Sequence, residues 1–216
     1  MKKLFLFSIL ILVSCSYENP FTARINCDYF PIDDTGNFWL YEGIEGEQKY
    51  IEVKQTVQKD GREAIVIEEN WQETYWYKGE GYISRYMNVD INFNGEIFLV
   101  EKRWQPYIEI PIVEGNSWSD IWMDTLQFHN QPLYRFNSLR GYVEGFVTVK
   151  LSSGTFKNVY RIRFESCEEI NSTIIGDLLI EETYREWYAP DIGMIKSKHD
   201  DENWELSSYG KVEDGN

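Results

Sequence analysis

Histidine, cysteine and proline are all scarce in this chain. Its 216 residues include 2 His, 3 Cys and 6 Pro. Two histidines 70 residues apart, His129 and His199, leave little material for an imidazole-rich metal centre or a histidine-based catalytic triad. His199-Asp200-Asp201-Glu202 could offer ligands to a cation, but the run falls where a hairpin turn is expected and reads as a solvated acidic turn. G-x-S-x-G, H-E-x-x-H, the P-loop and the dinucleotide fingerprint do not occur. Positive charge is also short: Lys+Arg 21 against Asp+Glu 36 gives a net charge of -15. Binding to nucleic acid depends on a basic surface that releases counterions, so a nucleic-acid partner is excluded. No long apolar run follows Val13, so the body of the chain has no candidate membrane-spanning helix.

Aromatics are abundant, at 16%, with 8 Trp, 15 Tyr and 12 Phe. A hydrophobic share of 43% rules out a disordered chain. About 200 residues suffice for one full-sized domain that buries its own core.

The first residues carry an address. Lys2 and Lys3 precede an apolar run from Leu4 to Val13, too short for a permanent span across about 30 Å of hydrocarbon. Leu12-Val13-Ser14-Cys15 then resembles the bacterial lipobox, in which a peptidase cuts before the cysteine and the thiol takes up diacylglycerol. An ordinary secretory leader with an incidental Cys15 is the alternative. The resemblance implies a signal peptide at 1–14, lipidation (with palmitate-like acyl chains) at Cys15, and a tether over 15–28. Ser16, after the cysteine, implies sorting to the outer membrane, facing the periplasm or the cell surface. Without the two leader lysines the mature chain has 19 basic against 36 acidic residues, a net charge of −17. Anionic head groups repel such a domain, so the acyl chains alone would hold it to the membrane.

A single β-rich domain is expected over 29–210, with a frayed tail at 211–216. Ile51, Val53, Gln55 and Val57 alternate with polar neighbours at period two, and Asp60-Gly61 before Ala64-Ile65-Val66-Ile67 signals a hairpin. Further strands are expected at 72–78, 82–89, 96–104, 140–151, 155–167, 178–189 and 193–199. Turns fall at Gly79-Glu80-Gly81, Asn94-Gly95, Ser152-Ser153-Gly154 and Asp191-Ile192-Gly193. Ser119–Leu126 is the best candidate for one short helix. The fold class is all-β: an antiparallel meander forming a half-open barrel or two packed sheets. Two diverged repeats are one source for it. Pro31-Ile32 and Gly36-Asn37 before Trp39 echo Pro111-Ile112 and Gly115-Asn116 before Trp118. Trp76-Tyr77 before Gly81-Tyr82-Ile83 likewise echoes Trp187-Tyr188 before Gly193-Met194-Ile195. The gap between the two elements is 37 residues in one half and 69 in the other. Chance likeness among Trp- and Gly-rich strands is the other explanation.

Gly154-Thr155-Phe156-Lys157-Asn158-Val159 and Trp187-Tyr188-Ala189-Pro190-Asp191-Ile192-Gly193-Met194-Ile195-Lys196 resemble hairpins of a group of uncharacterised bacterial secreted proteins and lipoproteins. More distantly, the layout is similar to the half-barrels of lipoprotein-localisation carriers (LolA/LolB-type). That resemblance implies a cavity for acyl chains.

Asp90-Ile91-Asn92-Phe93-Asn94-Gly95, with Glu101 six residues on, fits the EF-hand loop pattern, with oxygens from Asp90, Asn92, Asn94 and Glu101. Its flanks look extended, and Asn94-Gly95 also suits a hairpin turn. On a strand Glu101 would lie about 20 Å beyond Gly95, too far to close a calcium site. No cofactor or tight metal site is therefore expected. With Cys15 lipidated, Cys27 and Cys167 form a candidate disulfide, with two separate thiols the alternative. Trp71, Trp76, Trp104, Trp118 and Trp122 are candidates for stacking on sugar rings, or for filling a core.

The functional expectation is a non-enzymatic envelope lipoprotein, a membrane-tethered β module that binds or scaffolds. Carriage of an apolar ligand in a half-barrel and carbohydrate binding are the two alternatives.

Overall fold

A computed structural model describes Cys27 to Val212 apart from Asn94, Ile175 and Asp201. The expected leader, Cys15, most of the tether and residues 213–216 lie outside the described residues. The described residues contain no helix. Twelve strands form one antiparallel sheet: β1 (Asn37–Glu42), β2 (Gln48–Lys59), β3 (Arg62–Glu69), β4 (Gln72–Lys78), β5 (Tyr82–Phe93), β6 (Glu96–Glu109), β7 (Ser117–Phe128), β8 (Gln131–Leu151), β9 (Gly154–Ser172), β10 (Leu178–Ala189), β11 (Gly193–His199) and β12 (Glu202–Lys211). Their spatial order is β6-β5-β4-β3-β2-β1-β12-β11-β10-β9-β8-β7. The sheet curls until it nearly closes as a barrel, with one unsealed seam between β6 and β7. The all-β, half-open barrel expectation holds.

Local chemistry accounts for the hairpins. Asp60 and Gly61 both take positive φ (46° and 76°), as a two-residue turn matched to strand twist requires. Gly193 sits at φ 93° with Pro31 and Trp39 against it, so a side chain there would be both strained and crowded.

Ser119–Leu126 is strand, not helix, lying within β7 and pairing with β8 from Ser117↔Tyr142 to Phe128↔Gln131. The ladder overrides a weak local preference. β8 starts at Gln131, nine residues before the expected strand, because Pro132 weakens the sequence signal there without breaking the pairing with β7. Gly141 is there for packing: a Cβ would run into the Trp118 ring. β12 takes in Lys211, paired with Asn37, at the start of the segment expected to fray.

The sequence echo falls at matching places in two six-strand halves. The Pro-Ile segments lead into β1 and β7, the two Trp-Tyr pairs lie on β4 and β10, and the glycine turns open β5 and β11. The longer spacing in the second half comes from longer strands. β8 and β9 have 21 and 19 residues where β2 and β3 have 12 and 8.

Two apolar clusters fill the barrel. One gathers around Phe164, Ile83, Ile162 and Trp118, the other around Val53, Ile195, Leu206 and Trp39. Phe30, Trp76 and Met194 touch both. The segment before β1 closes one end: Asp28 N–H donates to Asp191 Oδ1 at 3.0 Å, and Lys78 Nζ holds Asp28, Asp33 and the Phe30 carbonyl. Ile32, at 4% exposure, is pressed into the core by this strap.

Candidate functional site: a cavity in the barrel

Alternation along the strands determines what points inward. On β10, Tyr184, Glu186 and Tyr188 share one face; on β5, Ile83, Arg85 and Met87 do the same. Glu186 and Tyr188 of β10 and Arg85 and Met87 of β5, with Trp39 and Tyr41 of β1, Ile67 of β3, Trp76 of β4 and Tyr107 of β6, line a cavity of about 470 Å³. Phe30 forms its floor, 5.4 Å from the Trp76 ring and 5.9 Å from the Tyr188 ring, centre to centre. Lys49, Glu69 and the β5 residues up to Val89 lie toward the opposite end, where Lys49 Nζ meets Glu69 Oε1 at 3.1 Å. The volume falls within the roughly 300–1,000 Å³ of small-molecule sites, and the wall is aromatic and aliphatic with a few polar groups.

One of those polar groups is an interior carboxyl. Glu186 accepts hydrogen bonds from the Tyr107 hydroxyl at 2.8 Å and the Tyr188 hydroxyl at 2.5 Å. Burial pushes its pKa up, outweighing these hydroxyls and the Arg85 and Lys49 charges that pull it down. Burial also pushes Tyr184 up to about 12 and raises Tyr107, Tyr188 and Tyr41 well above the ordinary phenol value. The phenols therefore keep their protons throughout the physiological range and act as hydrogen-bond donors inside an apolar chamber.

A second polar network spans the seam beside this cavity. Gln105, 1% exposed, accepts from Arg85 Nε at 2.9 Å and donates to Asp120 Oδ2 at 3.3 Å. Asp120 also takes Arg103 at 2.6 Å, and Arg103 reaches back to Glu101 at 2.8 Å. Glu101, fully buried, pairs with Arg135 at 2.9 Å, and Arg135 goes on to Glu168 at 2.8 Å. Trp122 lies against the guanidinium groups of both Arg103 and Arg135.

This network decides where the EF-hand-like residues go. Asp90 and Asn92 are exposed near the β5–β6 turn, where Phe93 pairs with Glu96 and Asn92 Oδ1 accepts the Gly95 N–H at 3.2 Å. Asn94 lies outside the described residues. Glu101 pairs with Val89 along the ladder, and arginines take up its carboxylate inside the barrel, well away from the turn. Among the described residues no group of three His, Cys, Asp or Glu is placed to hold a metal ion.

No disulfide joins Cys27 to Cys167. Cys27 sits by Asp191 at the strapped end, two residues before Tyr29, whose ring packs on Tyr160. Cys167 lies seven residues further along β9, roughly 23 Å away, between Ser138 and Glu181. A disulfide needs Cα atoms within about 7 Å.

The tryptophans do not form a flat row. Trp118 is buried, Trp76 faces the cavity, and Trp122 is engaged by arginines. Trp104 meets Tyr86 and Tyr77 edge-on at 65° and 61°. Trp71, 90% exposed, stands alone in the β3–β4 turn. Sequence reasoning did not single out Arg85 or Glu186. The signal available was a charged residue in the inward register of an otherwise apolar alternation.

These features define a barrel strapped at one end, with an interior cavity carrying a carboxyl and a guanidinium. No family model matches the chain, and no curated protein matches it. Among solved structures, a candidate lipoprotein from Parabacteroides distasonis ATCC 8503 is similar at 12% identity and a TM-score of 0.48. The match covers 85% of this chain and 99% of that one.

Proposed function

We propose that this protein is a non-enzymatic lipoprotein of the bacterial outer membrane, tethered through Cys15, and that its barrel holds an apolar ligand. The cavity carries this reading: about 470 Å³ lined by Trp39, Trp76, Tyr107, Tyr188 and their apolar neighbours within a single barrel. Removing an apolar molecule from water into such a chamber is favourable by about 25 cal/mol per Å² buried. The leader supports the address, since Lys2, Lys3, the run to Val13 and Cys15 together match what lipidation needs. A sugar-stacking role has no comparable support, because the tryptophans do not offer a shared exposed face.

Native mass spectrometry of the mature protein from its own membranes tests both parts. The expected result is an acylated Cys15 at the new N-terminus and a retained apolar molecule. In the Cys15→Ser variant, partitioning into detergent should be lost while the barrel still loads ligand. An unacylated wild-type chain would overturn the tether. Repeated recovery of empty protein that also ignores apolar probes would overturn the carrier reading.

A further inference from the structure

We infer that the cavity's ligand ends in an acidic group, and that Arg85 is the residue that meets it. The inference rests on the reading that the cavity holds an apolar molecule, and adds the chemistry of that molecule's head.

Arg85 reaches the cavity from the inward face of β5. Two contacts fix its position. Nε donates to Gln105 at 2.9 Å, and the guanidinium lies 4.8 Å from the centre of the Tyr107 ring. Gln105 is itself held by Asp120, so the arginine is braced from behind. These contacts use one nitrogen and one face. The two terminal nitrogens have no acceptor among the described residues.

The other interior arginines are matched. Arg103 has Glu101 and Asp120, and Arg135 has Glu101 and Glu168. Of the cavity's own carboxylates, Glu69 pairs with Lys49, and Glu186 accepts from two phenols; Glu186 feels the Arg85 charge through space but forms no ion pair or hydrogen bond with it. An arginine in the wall of a largely apolar cavity, with its two terminal nitrogens unpaired among the described residues, is suited to a carboxylate or phosphate, which it can bind in bidentate fashion. A neutral head would leave those terminal donors without a charged acceptor, and a cationic head would be repelled by them.

The test compares four probes of one chain length: dodecanoate, dodecyl phosphate, dodecanol and dodecylamine. Isothermal titration is run on the wild-type barrel and on Arg85→Gln, with circular dichroism confirming that the variant is folded. At least one anionic probe is expected to bind about tenfold tighter than dodecanol. The tighter of the two anions tells a carboxylate ligand from a phosphate one. Arg85→Gln should erase the preference, bringing both anionic probes to about the affinity of dodecanol in the same variant. Equal affinity for the alcohol and both anions in the wild-type protein overturns the acidic head and leaves the apolar reading standing; this comparison holds even if the variant misfolds. A preference that survives in Arg85→Gln overturns the role of Arg85. Silence from all four probes, the alcohol included, overturns the apolar reading and the inference together.

Discussion

The barrel's two six-strand halves meet at two junctions that are built differently. Between β12 and β1 the backbone does the joining, through a ladder running from Asn37↔Lys211 to Glu42↔Glu205. Between β6 and β7 no ladder forms among the described residues. Side chains span the gap instead: Arg103 to Asp120, Gln105 to Asp120, and Trp118 Nε1 donating to the Tyr107 carbonyl at 2.9 Å. Arg135 on β8 reaches past β7 to Glu101. A ladder tolerates most substitutions, since every residue supplies the same backbone groups. A side-chain seam depends on a few specific residues, and an unpaired strand edge is otherwise a liability.

The largest effect is expected where that dependence is deepest. Glu101→Ala leaves Arg135 with Glu168 alone, and Arg135→Ala leaves Glu101 with Arg103 alone; having lost one buried partner, each variant should cost up to about 3–5 kcal/mol in urea unfolding. Replacing both with apolar residues of similar size, Glu101→Leu with Arg135→Met, should cost less than either single change. If the double replacement proves the worst of the three, the ion pair itself carries the seam rather than the penalty of separating it.

A smaller effect contrasts the two junctions directly. Arg103–Asp120 and Lys196–Glu205 both stand at 2.6 Å, but the first is mostly shielded and spans the seam. The second lies partly exposed on the β11–β12 ladder beside the backbone-joined junction. Asp120→Ala should cost about 1–3 kcal/mol and speed amide exchange along β6 and β7. Lys196→Ala should cost under about 1 kcal/mol and leave β12 and β1 exchange as it was. Equal exchange at both junctions in the wild-type protein would erase the distinction.

The finest probe is pH. Glu186 on β10 bonds Tyr107 on the seam strand β6, and burial raises its pKa from the ordinary 4.5. The folded carboxyl then holds its proton more tightly than the unfolded one. Its stabilising share is complete below about 4.5 and declines as pH rises through the folded value. Thermal unfolding of wild type and Glu186→Gln across that window should show a steeper loss with rising pH in the wild-type protein. Parallel slopes would remove Glu186 from the account.

Much of the architecture was legible because turns and pleats are local. Asp60-Gly61, Ser152-Ser153-Gly154 and Asp191-Ile192-Gly193 mark hairpins that form at those places, and the paired Pro-Ile and Trp-Tyr motifs mark two halves. Ser119–Leu126 was misread because an edge strand held on one side by β8 carries little internal period. The candidate site was far less legible. Cys27 and Cys167 suit a bridge by count, yet the strap and the length of β9 separate them. Glu101 fits a calcium pattern by spacing, yet it is drawn into an arginine network assembled from β6, β7 and β8.

The sequence by itself determined most of the strands, though not β1, β7 or β12, and their antiparallel succession, because pleat and turn geometry act over two to four residues. Only the tertiary structure decided that β1 closes on β12, that β6 and β7 meet through side chains, and that Arg85, Tyr107 and Glu186 line one chamber. Those outcomes follow from how far a twisted twelve-stranded sheet curls before its edges meet, a property of all the strands together that no short stretch of sequence encodes.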